Sequence, residues 1–70
     1  MFVVIEIQKN GSGEIATLVN VYDDHNTAEQ KYHTILAAAA VSGLPSHAAV
    51  MLLENGQEIK HECYGAEVLE

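Results

Sequence analysis

Lys31-Tyr32-His33-Thr34-Ile35-Leu36-Ala37-Ala38-Ala39-Ala40-Val41-Ser42-Gly43-Leu44-Pro45 is the stretch on which the fold turns. Ala28, Tyr32, Ile35, Leu36, Ala39 and Leu44 fall on or near one stripe at 3.6-residue spacing, which predicts a helix with a core-facing side. Ala37, Ala38 and Val41, on the other side, carry no charge either. A helix that loses its polar face toward its C-terminus is covered there, by its own chain or by a partner. Upstream, Asp23-Asp24-His25-Asn26-Thr27 opens the helix. Asp24 or Asn26 serves as N-cap, and Asn26 has Glu29 three residues on. The helix is expected to run to about Ser42, with Gly43 as the left-handed residue after it and Pro45 barring continuation.

On either side of this helix the period changes from 3.6 to 2. Val3, Ile5 and Ile7 alternate with Val4, Glu6 and Gln8, a pattern rich in β-branched residues. Asn10-Gly11-Ser12-Gly13 tolerates the positive φ of a hairpin loop. A second strand follows from about Glu14 to Tyr22. After Pro45, His47 to Glu54 is almost continuously apolar, which predicts a strand buried on both faces. Asn55-Gly56 is a strong hairpin signal, and Gln57 to Tyr64 forms the return strand. The short acidic tail beyond Gly65 is expected to fray. The whole predicts one α+β domain over residues 1–70, in the order β-β-α-β-β: a four-stranded antiparallel sheet with one helix packed on one face. The apolar third strand is the best candidate for a central position.

One helix covers only one face of such a sheet. If Val3, Ile5, Val19, Val21, Val50 and Leu52 pack on it, then Phe2, Val4, Ala16, Leu18, Tyr22, Met51 and Leu53 are left over. The opposite assignment leaves a similar apolar surplus, too much for open water. Size points the same way. A chain of 70 residues buries only about 60% of its unfolded surface, and its core supplies roughly 3–5 kcal/mol unless reinforced. Cys63 is the only cysteine, so an intramolecular disulfide is excluded, and a lone thiol fits a reducing, cytoplasmic setting. Self-association, as a homodimer or higher oligomer, is the expected reinforcement.

Three lysines, no arginine and ten carboxylates give a formal charge of −7. That surface repels phosphate backbones, so direct binding to DNA or RNA is not expected. Met1 to Glu6 has no basic n-region, which speaks against a signal peptide. No apolar run approaches the ~18–20 residues that span a bilayer, so no membrane association is expected.

Chemical motifs are sparse. His61-Glu62-Cys63 places a histidine and a cysteine on one side of a strand, where a base could activate a thiol. No oxyanion donors or third orienting group accompany them, and Cys63 reads as a packing residue. His25, His33 and His47 are neither at His-x₃-His spacing nor in a His-Glu-x-x-His motif, so no metal and no cofactor is expected. His33 lies on the helix flank, beside the core-facing Tyr32. His47 stands at a strand entrance, where a polar side chain commonly satisfies loop backbone. The Gly-rich loop joins two strands and lacks the helix N-terminus a phosphate cradle needs. The surface with the best claim to binding is therefore Tyr32, His33, Ala37, Ala38 and Val41 on the helix, with His47 nearby.

The run Lys31 to Ser42, then Leu44-Pro45, His47, Ala49-Val50 and Glu62-Cys63-Tyr64, resembles a group of very small uncharacterised proteins of prophages and mobile elements in gut Firmicutes. Val4-Ile5-Glu6-Ile7-Gln8 and the Asn26/Glu29 helix start are similar as well, so the likeness covers most of the chain. It implies context: a cytoplasmic accessory protein of a phage-like element, in a bacterial host. No catalytic residues come with the resemblance. By analogy with other small oligomeric phage products, the expected function is non-enzymatic binding as a homo-oligomer. It would act against host defence by sequestering a small ligand or signal nucleotide, or by holding a host protein. An acidic blocker of a nucleic-acid-binding host protein is the alternative, and a small enzyme using His61 and Cys63 a third.

Overall fold

The computed structural model describes residues 1–65. The elements are β1 (Phe2–Lys9), β2 (Ile15–Tyr22), α1 (His25–Ala39), β3 (Ser46–Leu53) and β4 (Glu58–Tyr64). They form a four-stranded antiparallel sheet in the order β2-β1-β3-β4, with the helix on one face. The two hairpins lie side by side, and the apolar β3 shares the centre with β1. The expected fraying beyond Gly65 lies outside the described residues.

Both hairpins close in the same way. Asn10 N–H donates to Glu14 C=O at 2.9 Å and Gly13 N–H to Asn10 C=O at 3.0 Å. Leu53 N–H likewise donates to Gln57 C=O and Gly56 N–H to Leu53 C=O, both at 2.8 Å. Each loop therefore has three residues, the last a glycine at positive φ: Gly13 at 92° and Gly56 at 90°. This is the three-residue hairpin with a left-handed glycine, not the two-residue loop in which both central residues need positive φ. In each case an asparagine tightens the turn. Asn10 Oδ1 accepts from Ser12 N–H, Ser12 Oγ–H and Glu14 N–H, and Asn55 Oδ1 accepts from Gln57 N–H.

The helix starts where the sequence indicates. Asp24 is the N-cap, its carboxylate accepting from Thr27 N–H and Thr27 Oγ1–H, both at 2.9 Å. It ends at Ala39, three residues before the expected Ser42. Val41 and Ser42 donate to the carbonyls of Ala38 and Ala39, three residues back. This tightened turn uses up the chain before Gly43, which takes the expected positive φ of 71°.

Of the expected stripe, Leu44 lies beyond the helix and is half-buried, whereas Ala28, Tyr32, Ile35, Leu36 and Ala39 are buried. They pack on Val4, Ala49 and Met51, with Phe2 and Tyr22 closing the core at one end. The helix thus sits on the Phe2/Val4/Met51 side of the sheet, the opposite of the first of the two face assignments. It also corrects the expectation for β3. His47, Ala49 and Met51 are buried, but Ala48, Val50 and Leu52 on the other side are only half-buried. An apolar run long enough to look buried on both faces is here buried on one.

Candidate functional site

The sheet face turned away from the helix carries Val3, Ile5 and Ile7 from β1, Thr17, Val19 and Val21 from β2, and Ala48, Val50 and Leu52 from β3. The strict antiparallel register places these residues side by side. None of them is buried. On β2, Ile15 is 66% exposed and Val19 60%. Three strands of eight residues and one of seven at ordinary spacing and rise make a face of roughly 19 by 26 Å. A patch on the order of 500 Å² lies at the upper end of what soluble monomers leave bare, and larger patches of this kind mark interaction sites. Its polar groups are Thr17 on β2, Lys9 and Ser46 at one end of the face, and the β4 rim. There His61 Nδ1 meets Glu58 at 2.9 Å, and the Cys63 thiol meets the Ser46 hydroxyl at 3.3 Å. His61 is thus turned to a carboxylate, and the Cys63 contact is a hydroxyl.

The six residues expected to form a binding surface do not come together. Tyr32 is a core residue and His47 is buried beneath the helix. Ala37, Ala38 and His33 are exposed on the helix, and Val41, 84% exposed, lies just beyond its end. Among the described residues none covers Ala37, Ala38 or Val41 or forms a cleft with them.

Two polar clusters were not foreseen. Beneath the helix, the Glu6 carboxylate accepts from Gln8 Nε2–H at 2.8 Å and sits 2.6 Å from His47 Nε2. His47 Nδ1 is buried with no partner among the described residues. Three strand positions on the helix side therefore hold a polar knot beside the apolar core. His47 thus meets the Glu6 carboxylate where a bond to loop backbone was expected. On the helix flank, Glu29 collects His25 at 3.1 Å, His33 at 3.2 Å and Lys60 of β4 at 2.7 Å. The signal for this second cluster was present: His25, Glu29 and His33 are four apart, on one side of a helix. Lys60 also lies 5.5 Å from the centre of the Tyr32 ring. No group of three or more His, Cys, Asp or Glu among the described residues is arranged to hold a metal ion.

Three carboxyls are held below their ordinary range. Burial works to raise Glu6, but hydrogen bonds from Gln8 and His47, with the charges of His47 and Lys31, outweigh it. Glu29 is lowered chiefly by its bond from Lys60, and Asp24 by the Thr27 N–H at the helix start. A carboxyl with a lowered folded-state pKa contributes stability above its unfolded value, and that stability is lost as pH falls through the folded value. The melting temperature is therefore expected to fall as pH drops below about 4, the ordinary carboxylate range. A midpoint that rises on acidification through that window would contradict these assignments.

No cavity opens among the described residues, and no described helix is long and apolar enough to cross a membrane. Comparison of the chain with protein-family models, with curated proteins and with solved structures found no match.

Proposed function

We propose that this chain is a non-enzymatic binding protein that acts as a homo-oligomer, its copies packing through the sheet face left bare by the helix. The observation that carries this reading is the aliphatic face itself: Val3, Ile5, Ile7, Val19, Val21, Val50 and Leu52 in one layer, with none of the described elements over them. A standard interface removes about 800 Å² from each partner, less than a fifth of this chain's 4437 Å². Two such faces in contact form a β-sandwich, with the helices outermost.

The resemblance to phage-type proteins gives the reading its setting, an accessory protein of a mobile element acting against host defence. The described residues of a single copy enclose no cavity, so a sequestered small ligand would be held at a boundary between copies. The acidic-blocker alternative draws less support. Glu6, Glu29 and Glu58 are each engaged with a histidine or lysine of the same chain, which leaves fewer carboxylates free to imitate a phosphate array.

Val50→Glu and Ala38→Glu separate the two surfaces considered for assembly. A carboxylate at Val50 would be buried between two largely aliphatic faces, with the His61 imidazole across the strand as its polar neighbour, so sedimentation velocity should show the assembly reduced to smaller species. Ala38→Glu, on the helix flank, should leave it intact. An oligomer that survives Val50→Glu but dissociates with Ala38→Glu would move the interface to the helix.

A further inference from the structure

The two edges of the sheet are built differently. β4 is defended: its sequence Glu58-Ile59-Lys60-His61-Glu62-Cys63-Tyr64 carries charges of both signs, and a register irregularity breaks its pairing at Met51/Leu52. These are the usual devices against edge-to-edge pairing. β2, Ile15-Ala16-Thr17-Leu18-Val19-Asn20-Val21-Tyr22, has none of them. It holds no charge and no proline, runs for eight residues and pairs in unbroken register with β1. The helix lies mainly over β3 and β1, which leaves Ala16 and Leu18 of β2 exposed on the helix side too, Leu18 at 59%.

The direction of the free backbone groups follows from the hairpin. Asn10 and Glu14 form the hydrogen-bonded pair next to the turn, and bonded and non-bonded pairs alternate along an antiparallel ladder. Ala16, Leu18, Asn20 and Tyr22 therefore turn their N–H and C=O toward β1. Ile15, Thr17, Val19 and Val21 turn theirs outward. The bond from Leu53 N–H to Gln57 C=O gives the same parity when traced back through β3 and β1.

We infer that β2 pairs antiparallel with β2 of a second copy, about a two-fold axis at Leu18, to make a continuous eight-stranded sheet. In this register Ile15 pairs with Val21 and Thr17 with Val19 of the other copy. All four outward N–H and all four outward C=O groups of each strand are then bonded using strand residues alone. Shifting the axis to Val19 would instead set Ile15 opposite Asp23, beyond the strand. The bonded pairs are β-branched, the favourable kind across strands, and Leu18 meets Leu18 as a close non-bonded pair. A second copy suits this edge because each chain carries −7, so two copies approach best along a segment without charge. The edge contact does not depend on the face contact proposed above. If both form, the assembly is a tetramer: two eight-stranded sheets packed face to face.

Cysteine cross-linking reads the register. Directly opposed residues of a non-bonded pair have Cα atoms about 4.5 Å apart, within disulfide range. With Cys63→Ser in the background, Leu18→Cys should oxidise to a species of twice the 7.6 kDa chain mass. Asn20→Cys, which faces Ala16 of the other copy, should not. Adding Thr17→Pro to Leu18→Cys should abolish the cross-link, because proline removes an outward N–H while sparing every bond to β1. Circular dichroism would report whether that variant is folded. If it is not, the Leu18/Asn20 comparison alone decides. Adding Val50→Glu should leave the cross-link in place, since that residue lies on the other contact. Equal cross-linking at the two positions, or none at Leu18, would overturn the edge pairing without touching the face contact. Protection of the β2 edge by a host peptide in place of a second copy would appear as no cross-link at Leu18.

Discussion

Met51→Ala is expected to be the most damaging single substitution in this chain, lowering stability by about 2–5 kcal/mol, the usual range for truncating a buried long aliphatic side chain. Met51 is fully buried on β3, opposite Val4 and in the core cluster with Tyr32, Ile35 and Leu36. A domain of this size draws roughly 3–5 kcal/mol from its core, so the loss is comparable to the whole. Urea denaturation at fixed protein concentration would read it, since assembly makes apparent stability concentration-dependent. Val41→Ala, at a residue 84% exposed, is the matching control, and its effect should stay within about 0.5 kcal/mol. A small effect at Met51 would mean that the helix does not seal this face of the sheet.

The second large effect is expected at Glu6. Replacing it with alanine leaves His47 buried with Nε2 keeping only the longer 3.4 Å contact to Gln8 among the described residues, beside an Nδ1 that has no partner among them. Leaving a buried polar group unsatisfied costs about 1–3 kcal/mol. His47→Leu in the same chain removes the stranded ring, so the double variant should be more stable than Glu6→Ala alone. Strict additivity of the two substitutions would show that the pair is not coupled.

How far the sequence could be read depended on whether a single periodicity decided the matter. The helix stripe from Ala28 to Ala39, the Asp24 cap and both asparagine-assisted hairpins rest on local chemistry, and each was legible. The choice of sheet face was not. Val3/Ile5/Ile7 and Phe2/Val4 are both apolar enough to face a helix, and alternation alone assigns neither. What settles it is three-dimensional: Ala49 leaves room beneath the helix, Met51 and Val4 fill the layer, and Phe2 and Tyr22 close its end. Glu6 and Gln8, on the helix side, pointed away from that answer. They are accommodated there because the β1–β3 register sets Gln8 opposite His47 and Glu6 opposite Ala49, and no spacing within one strand reveals a cross-strand partner. For the same reason Tyr32 and His47, expected on a binding surface, proved to be interior residues, while Ala37, Ala38 and Val41 are exposed.

The central claim is that copies of this chain meet through the Val3/Ile5/Val50/Leu52 face. Isotope-filtered NOE spectroscopy on a mixture of labelled and unlabelled protein observes that contact directly. Intermolecular NOEs are expected among the methyl groups of Val3, Ile5, Val50 and Leu52. Their absence, with intermolecular NOEs arising instead from Ala37, Ala38 and Val41, or with a folded monomer in solution, would contradict the account.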